Sequence, residues 1–501
     1  MVENQRKYQA YYTKSNSIVT YMTKLLNLNG SERILEPCAG DGVFIDSIIN
    51  LFPNISIDAL ELSIDSVKML LQKYRKSKSI QIRQTDYLKD TTLDDYIVKG
   101  GVYDAIIANP PYGAWREIEE RKQLKDKFNG LYAKESYTLF LIHSINLLKE
   151  GGKLSFIIPD TWLNVHMHKQ VRKYILTNTM ITEISLFPSS FFPNVNFGYA
   201  NLMIISLKKN SIIEENLNNK FNIYSNFKSV DELLKNNLSN ISKVSLSQNQ
   251  IFTNRDYSFV INPNEHVLNC INNNNVCIGD ICDCATGFYS GDDKSFLKVL
   301  NRDIKNSKHY ELVDCNKVQY NCSYRDLMGL ANGKYYVPIV KGGNTKYWKS
   351  DMWFMSWTKE NVNHYITNKK SRYQNSSFYF KQGIGIPMVS SSSITAALIN
   401  NRLFDQSIVG VFPKNENFLY YLLAFFNSPT CNILIRTINS STNNSSNYIK
   451  KIPFIAPSIE DLHEVTKNTK EIITRITTEN LDYHNLEDKN NNIFYKIYGF
   501  N

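Results

Sequence analysis

The stretch Tyr103-Asp104-Ala105-Ile106-Ile107-Ala108-Asn109-Pro110-Pro111-Tyr112 decides the reading of this chain. Its first six residues form an apolar run bounded by turn formers, the pattern of a buried strand. Asn109-Pro110-Pro111-Tyr112 then sits at that strand's carboxyl end, where open α/β sheets bind their ligands. Two consecutive prolines set φ twice and keep the preceding residue out of the helical region, so the loop is stiff. A stiff loop suits a site that must hold a polar group in one geometry, and a plain strand-terminating turn uses the same residues. The flanking segments distinguish the two.

Upstream, Arg33-Ile34-Leu35-Glu36 reads as a short strand and Pro37-Cys38-Ala39-Gly40-Asp41-Gly42-Val43-Phe44 follows it, leading into an apolar helix from Ile45 to Leu51. Strand, glycine turn and helix open a nucleotide-binding α/β sheet. The turn has no GxGxxG pattern with a basic partner. It is bracketed by Glu36 and Asp41, and two acids suit an ammonium group better than a pyrophosphate. A second strand, Ile57-Asp58-Ala59-Leu60, ends in Glu61-Leu62, at the distance past the glycine turn where an acid holds ribose hydroxyls. A third, Ile80-Gln81-Ile82-Arg83, runs into Thr85-Asp86-Tyr87-Leu88. Asp86 is placed to accept from an adenine amino group, between apolar neighbours that sandwich the ring. Each acid alone suits a solvated surface equally well. An acid at the end of each of three successive strands builds a pocket.

Ahead of these lies Tyr11-Tyr12-Thr13-Lys14-Ser15, followed by Ile18, Val19, Tyr21, Met22, Leu25 and Leu26 at helical spacing. Thr13 or Ser15 caps that helix, and a helix start with a free hydroxyl also accommodates a carboxylate. Beyond Tyr112, the Lys- and Glu-rich stretch from Gly113 to Ser136 reads as a mobile loop or loose helix over the site. Tyr137 to Leu148 is expected as a helix, Lys153 to Ile158 as a fifth strand, and Thr161 to Leu176 as another helix. Ile181 to Leu186 and Asn201 to Leu207 are late strands bracketing Phe187-Pro188-Ser189-Ser190-Phe191-Phe192-Pro193. Phe191 or Phe192 suits stacking on a base or a place in the core.

At 501 residues the chain exceeds what one core serves. Its 57 basic against 47 acidic residues leave +10, which fits a polyanionic partner or simply Lys-rich solvated faces. Eight cysteines are too few for a disulfide scaffold, and the first residues form no apolar signal core, so a reducing cytoplasm is expected. No run has the apolar length of a bilayer span, so no membrane partner is expected. Cys270, Cys277, Cys282 and Cys284 lack the paired spacing of zinc modules, so no metal is expected.

Taken together these segments resemble the S-adenosylmethionine-dependent methyltransferases that act on amino groups. More narrowly, they resemble the gamma-class, Taq-type adenine-N6 DNA methyltransferases. The family's order is matched by Tyr12-Thr13, Glu36-Pro37 through Gly42, Glu61, Asp86-Tyr87-Leu88, Asn109 through Gly113, and Phe192-Pro193. The match covers residues 10 to 207, and position 38 is Cys where the broader pattern often has Gly.

The resemblance implies a Rossmann-like class I methyltransferase domain with a mostly parallel seven-stranded sheet, over residues 1–240. It also implies a mixed α+β target-recognition domain over residues 241–501. S-adenosyl-L-methionine is the implied cofactor, held by Tyr12, Thr13, Glu36, Pro37, Cys38, Ala39, Gly40, Glu61, Leu62, Asp86, Tyr87 and Asn109. Thr13 and Glu36 would lie near its methionine end, Glu61 at the ribose and Asp86 at the adenine amino group.

Asn109, Pro110, Pro111, Tyr112 and Phe192 are the implied catalytic set. The Asn109 side-chain oxygen and the Pro110 carbonyl accept from the target amino group, Pro111 stiffens the loop, and Tyr112 and Phe192 stack on a flipped base. The implied partner is double-stranded DNA with a specific adenine site, with a separate cognate restriction endonuclease allowed, in a monomeric, nucleoid-associated bacterial or archaeal protein. Glutamine methylases of release factors and methylases of structured RNA share Asn-Pro-Pro-Tyr but typically lack so large a second half. An inactive binding module is disfavoured by the intact Asn109, glycine turn and acid series.

In the second half, the polar stretch Asn236 to Gln250 reads as a linker. Gly287-Phe288-Tyr289-Ser290-Gly291 and Lys341-Gly342-Gly343-Asn344-Thr345-Lys346-Tyr347-Trp348-Lys349 place glycines, aromatics and bases on loops, a mixture that suits groove and phosphate contact. No finger or helix-turn-helix pattern is found there, and the chain carries no separate nuclease signature.

Overall fold

The computed structural model describes residues 15–112, 116–188, 191, 201–234, 241–261, 264–331, 333–390, 393–439, 444–478 and 482–500. The roles expected of Tyr12, Thr13, Phe192 and Pro193 fall outside them. The chain divides into two compact units, Met1–Asn262 and Pro263–Asn501.

The first unit is built on one sheet. Helix α1 (Asn16–Leu25) begins where the Ser15 side chain accepts from the Ile18 amide, and it buries Ile18, Val19 and Met22. Then come β1 (Arg33–Glu36), α2 (Val43–Leu51), β2 (Ser56–Glu61), α3 (Ile64–Lys73), β3 (Ile80–Gln84), α4 (Thr91–Val98) and β4 (Tyr103–Ala108). After β4 follow α5 (Ile118–Lys127), α6 (Tyr137–Leu147), β5 (Leu148–Pro159), α7 (Lys169–Asn178), β6 (Thr179–Phe187) and β7 (Leu202–Lys209). The unit closes with α8 (Ile213–Asn218), β8 (Lys220–Ser225), β9 (Ser242–Ser247) and α9 (Gln248–Thr253).

The strand order is β3-β2-β1-β4-β5-β7-β6-β8-β9. Strands β1 to β5 pair in parallel through short helical crossovers, whereas β7 runs antiparallel to both β5 and β6. The central strands are buried on both faces and so read as apolar runs without alternation. Helix α6 is largely apolar and is buried at every position but Asn146, with Thr138, His143 and Ser144 as its buried polar residues.

The structure departs from several expectations. The sheet has nine strands, not seven. The added β8 and β9 pair onto β6 and onto each other, so the stretch read as a linker, Asn236 to Gln250, contains a strand and the start of a helix. Its polar composition reflects an edge strand with one face in solvent, whose burial alternates along Ser242–Ser247. The boundary expected at 240 accordingly lies at 262. The helix expected from Thr161 is instead two 3-10 turns, Asp160–Leu163 and His166–His168, before α7. The stretch after Tyr112, expected as a mobile loop or loose helix, contains the helix α5, tied to its neighbours by Lys89–Glu120 at 2.5 Å and Lys127–Asp94 at 2.8 Å.

The second unit holds two smaller sheets. One has the order β10-β18-β15-β16 and is antiparallel, with β10 at Cys282–Thr286 and β15, β16 and β18 at Gly383–Pro387, Ala397–Ile399 and Ile408–Pro413. The other runs β12-β11-β14-β13-β17, from Leu297–Val299 (β11) and Glu311–Leu312 (β12) to Tyr336–Val340 (β13), Trp353–Ser356 (β14) and Leu403–Phe404 (β17). Helices α10 (Glu265–Asn273), α11 (Leu419–Asn427), α12 (Pro429–Ile438), α13 (Ile459–Thr478) and α14 (His484–Tyr498) pack with the first sheet in a core of their own. Among the described residues no single helix is long and apolar enough to cross a bilayer.

Candidate functional site

Parallel pairing puts the carboxyl ends of β3, β2, β1 and β4 side by side in that order. Glu61 ends β2 and Glu36 ends β1; Asp86 lies two residues past β3, and Asn109 directly follows β4. Four neighbouring strands span about 15 Å at roughly 4.8 Å per step. The three acids and Asn109 are therefore laid out as a row along one sheet edge.

The glycine turn lies in the middle of this row. Gly40 (φ +55°) and Gly42 (φ +81°) take left-handed conformations, and Gly42 starts α2. A Cβ at Gly42 would come within 2.5 Å of the Tyr74 hydroxyl. That hydroxyl donates to the Gly42 carbonyl (2.9 Å) and to Asp46 (2.7 Å), which pins the turn from α3. The Ala39 amide donates to the Leu60 carbonyl (2.9 Å), and the Gly40 amide to Glu61 Oε2 (2.8 Å). The Ser63 amide takes Glu61 Oε1, also at 2.8 Å. Both Glu61 oxygens are thus oriented by backbone, and each keeps a lone pair for a hydroxyl donor.

Glu36 is 2% exposed, and its Oε2 has no hydrogen-bond partner in the protein. Burial first, then the charges of Asp41 and Glu61, push its carboxyl well above the usual carboxylate range. An unsatisfied buried carboxyl beside a left-handed glycine turn calls for a donor from outside the chain, and a ligand ammonium supplies one. Pro37 and Ala39 are buried beneath it, and Leu62 is half-buried beside Glu61. This donor set fits S-adenosyl-L-methionine: cationic at one end, with ribose hydroxyls and an adenine amino group at the other.

At the far end of the row the structure adds what the sequence did not suggest. Both Asp86 oxygens are held by Arg116, at 2.8 Å each, and the Arg116 side chain is only 2% exposed. Arg116 belongs to the charged stretch before α5, where nothing in the sequence separates it from its solvated neighbours. Tyr87, expected beside the cofactor, has its ring in the core: it is 2% exposed, with its hydroxyl 2.7 Å from Ser144 Oγ and Phe140 and His143 against it. Its side chain supports the pocket from below, because α6 draws the ring under the sheet edge.

The Asn109–Tyr112 loop is tied to the glycine turn: the Cys38 thiol donates to the Asn109 carbonyl at 3.3 Å. This bond gives the departure from Gly at position 38 a structural use. Asn109 is half-buried and Pro110 buried. The Tyr112 hydroxyl donates to Asn109 Oδ1 and, at 3.1 Å, to the Ile157 carbonyl of β5. Tyr112 is 5% exposed, with its ring edge-on to Tyr137. The open stacking face expected at Tyr112 is therefore not presented in this conformation; the side chain instead orients the Asn109 amide. Among the described residues no group of three or more His, Cys, Asp or Glu side chains is arranged to hold a metal.

Comparison with known proteins points the same way. Residues 13–192 match the family model described as Eco57I restriction-modification methylase. The type II methyltransferase M.HincII of Haemophilus influenzae is 34% identical over 182 residues, 34% of this chain and 32% of that protein. M.AccI of Acinetobacter calcoaceticus is 27% identical over 188 residues, covering 36% and 34%. The adenine-specific methyltransferase BrxX of Escherichia coli O9:H4 (strain HS) is 25% identical over 383 residues, 72% of this chain and 28% of that protein. The chain thus spans about a third of the length of these curated relatives. Among solved structures, the DrdV–DNA complex aligns over 94% of this chain and 57% of its own at TM-score 0.60 and 12% identity. The type ISP restriction-modification enzyme LlaGI bound to a DNA substrate mimic aligns over 94% and 56% at TM-score 0.57 and 12% identity. At such identities the likeness speaks for the fold alone. With the motif order, the sheet-edge row of acids and the family match in agreement, residues 13–192 are an Eco57I-type restriction-modification methylase domain, a class whose cofactor is S-adenosyl-L-methionine.

Proposed function

We propose that the chain is a site-specific DNA methyltransferase acting on the N6 amino group of adenine, working in a restriction-modification system or as a solitary methylase. The observation that carries this reading is Asn109, held at the end of β4 next to the unpartnered Glu36 at the end of β1. When bound, the cofactor supplies a methyl group on a cationic sulfur.

The chain's own part is to prepare the acceptor nitrogen. An adenine amino nitrogen is a poor nucleophile because its lone pair is delocalised into the ring. Asn109 Oδ1 and the Pro110 carbonyl accept its two hydrogens, which draws the nitrogen toward a pyramidal shape. Acceptors suffice without a strong base, since positive charge develops on that nitrogen during transfer. The Tyr112 hydroxyl donates to Asn109 Oδ1 and so fixes the plane of that amide. Pro110 and Pro111 keep the two acceptors in register, and positioning supplies much of the remaining rate. A base inside a duplex cannot reach these groups, so the target must be extrahelical, at an unstacking cost of a few kcal/mol.

Expression in a host without DNA methylation, followed by long-read mapping of modified adenines, tests the reading. Wild type is expected to mark adenines at one sequence, and Asn109→Ala to lose the mark. Label from the cofactor appearing in RNA or protein, with genomic DNA unmodified, refutes it.

A further inference from the structure

In the second unit, loops far apart in sequence meet at one end of the β13–β17 pair. These strands run in parallel, with Val340 opposite Phe404, so Lys341 and Asp405 leave the sheet together. The 287–291 loop joins them: the Phe288 amide donates to the Phe404 carbonyl and the Gln406 amide to the Phe288 carbonyl, both at 2.8 Å. Tyr289 and Arg372 pair through their backbones. Lys341 Nζ is held between Asp293 (2.9 Å) and Asp405 (3.3 Å), one ammonium between two carboxylates. Arg402 in turn engages Asp351 at 2.8 Å.

Lys349 folds under the turn that follows β13. Its Nζ donates to the carbonyls of Lys341 (2.6 Å) and Gly342 (2.8 Å). In a trans peptide the N–H points opposite to the C=O. With both carbonyls turned inward, the amides of Gly342 and Gly343 face away from Lys349. The Gly342 amide finds Ser407 Oγ at 3.3 Å. Among the described residues the amides of Gly343, Asn344 and Thr345 donate to nothing in the protein, although residues 342–345 are exposed and Gly343 sits at φ +142°. The exposed Arg372 side chain donates to the side-chain oxygen of Gln406, the residue before Ser407, at 3.4 Å. Neither Lys349 nor Arg372 has an acid partner among the described residues.

Successive unbonded amides on an exposed glycine turn, with the Lys349 ammonium behind them and the Arg372 guanidinium on the adjoining 405–407 loop, suit an oxyanion. We propose that the Gly342–Thr345 turn and Arg372 bind a phosphodiester of the DNA backbone. This rests on the reading of the chain as a DNA methyltransferase. The contact is sequence-independent, so it sets affinity and register rather than choice of site.

The test uses the full chain, a duplex containing its mapped site and an unrelated duplex of equal length. Arg372→Ala is expected to weaken binding to both duplexes by the same factor and to make the dependence of log K on log salt shallower by about 0.9. Asn344→Pro removes a neutral donor, so affinity falls by about fivefold with the salt slope unchanged. In wild type, the amides of residues 343–345 are expected to exchange more slowly with deuterium when DNA is added but not with inorganic phosphate at matched ionic strength. Unchanged affinity and slope in both variants, or protection by phosphate alone, overturns the assignment. A loss confined to the specific duplex overturns it in favour of base contact. If wild type methylates no DNA, the enzymatic reading fails, and the proposal fails with it.

Discussion

Glu36 shows how one residue couples the site to pH. Its carboxyl is raised by burial and by the charges of Asp41 and Glu61, so the ligand-free protein holds a proton there that the unfolded chain has already lost above the ordinary Glu pKa. A cationic ligand prefers the carboxylate, so binding expels that proton. Cofactor affinity is expected to rise with pH until Glu36 ionises unaided. Calorimetry in buffers of different ionisation enthalpy should register the released proton, and Glu36→Gln should abolish both effects; proton uptake would contradict this account. For stability the sign is opposite: the raised carboxyl favours the fold below its unfolded pKa, and that contribution is lost as pH rises toward the folded value.

Under the proposed function, Arg116 would act on cofactor binding through Asp86, whose two oxygens it holds. Its bidentate hold fixes the Asp86 carboxylate plane. Arg116→Ala leaves a partly buried acid unpaired, an expected cost of about 3 kcal/mol, with weaker cofactor binding and little rescue by Arg116→Lys, which lacks the fork. Denaturant unfolding and cofactor titration measure the two effects separately. The strand-end positions of Asn109 and Glu61 were legible in the sequence because each follows an apolar run, and that of Asp86 because it follows the alternating strand Ile80–Gln84. Arg116 was not, because a buried arginine and a solvated one look alike until a carboxylate two loops away is found to face it.

At the scale of elements, α6 marks the limit of periodicity. Its largely apolar pattern carries no direction, so the sequence shows a buried helix and not what covers it. Leu141 is fully buried there, and Leu141→Ala should cost about 2 to 5 kcal/mol. The Tyr87 hydroxyl rests on Ser144 of the same helix, so the cofactor pocket should loosen with it; guanidinium titration and cofactor affinity provide the check. The strand β9 was misread for the converse reason. An edge strand with few apolar residues resembles a linker until its hydrogen-bond partner, β8, is known.

For the whole molecule, each unit has cores of its own: one runs from Ile18 to Phe259, and the others begin after residue 263. Phe425 is fully buried in the second unit against Phe494 and Tyr498. Phe425→Ala is expected to cost about 3 to 5 kcal/mol there and to move one of two thermal transitions. Cofactor affinity, which belongs to the first unit, should stay within twofold. A single transition shifted with equal loss of cofactor binding would show that the units do not fold independently.

The amino-acid sequence by itself determined the class of the first unit, the residues at the ends of β1, β2, β3 and β4, and the cofactor they suit. These are local facts, since strand ends, glycine turns and proline pairs are written within a few neighbouring residues. The tertiary structure alone decided that Arg116 closes on Asp86, that Cys38 bonds to the Asn109–Tyr112 loop, that Tyr112 turns its hydroxyl to Asn109, and that four loops of the second unit meet around Lys341. Each of these pairings joins elements through space. The sequence carries no period or spacing that encodes such contacts, because only packing of the sheets brings their partners together.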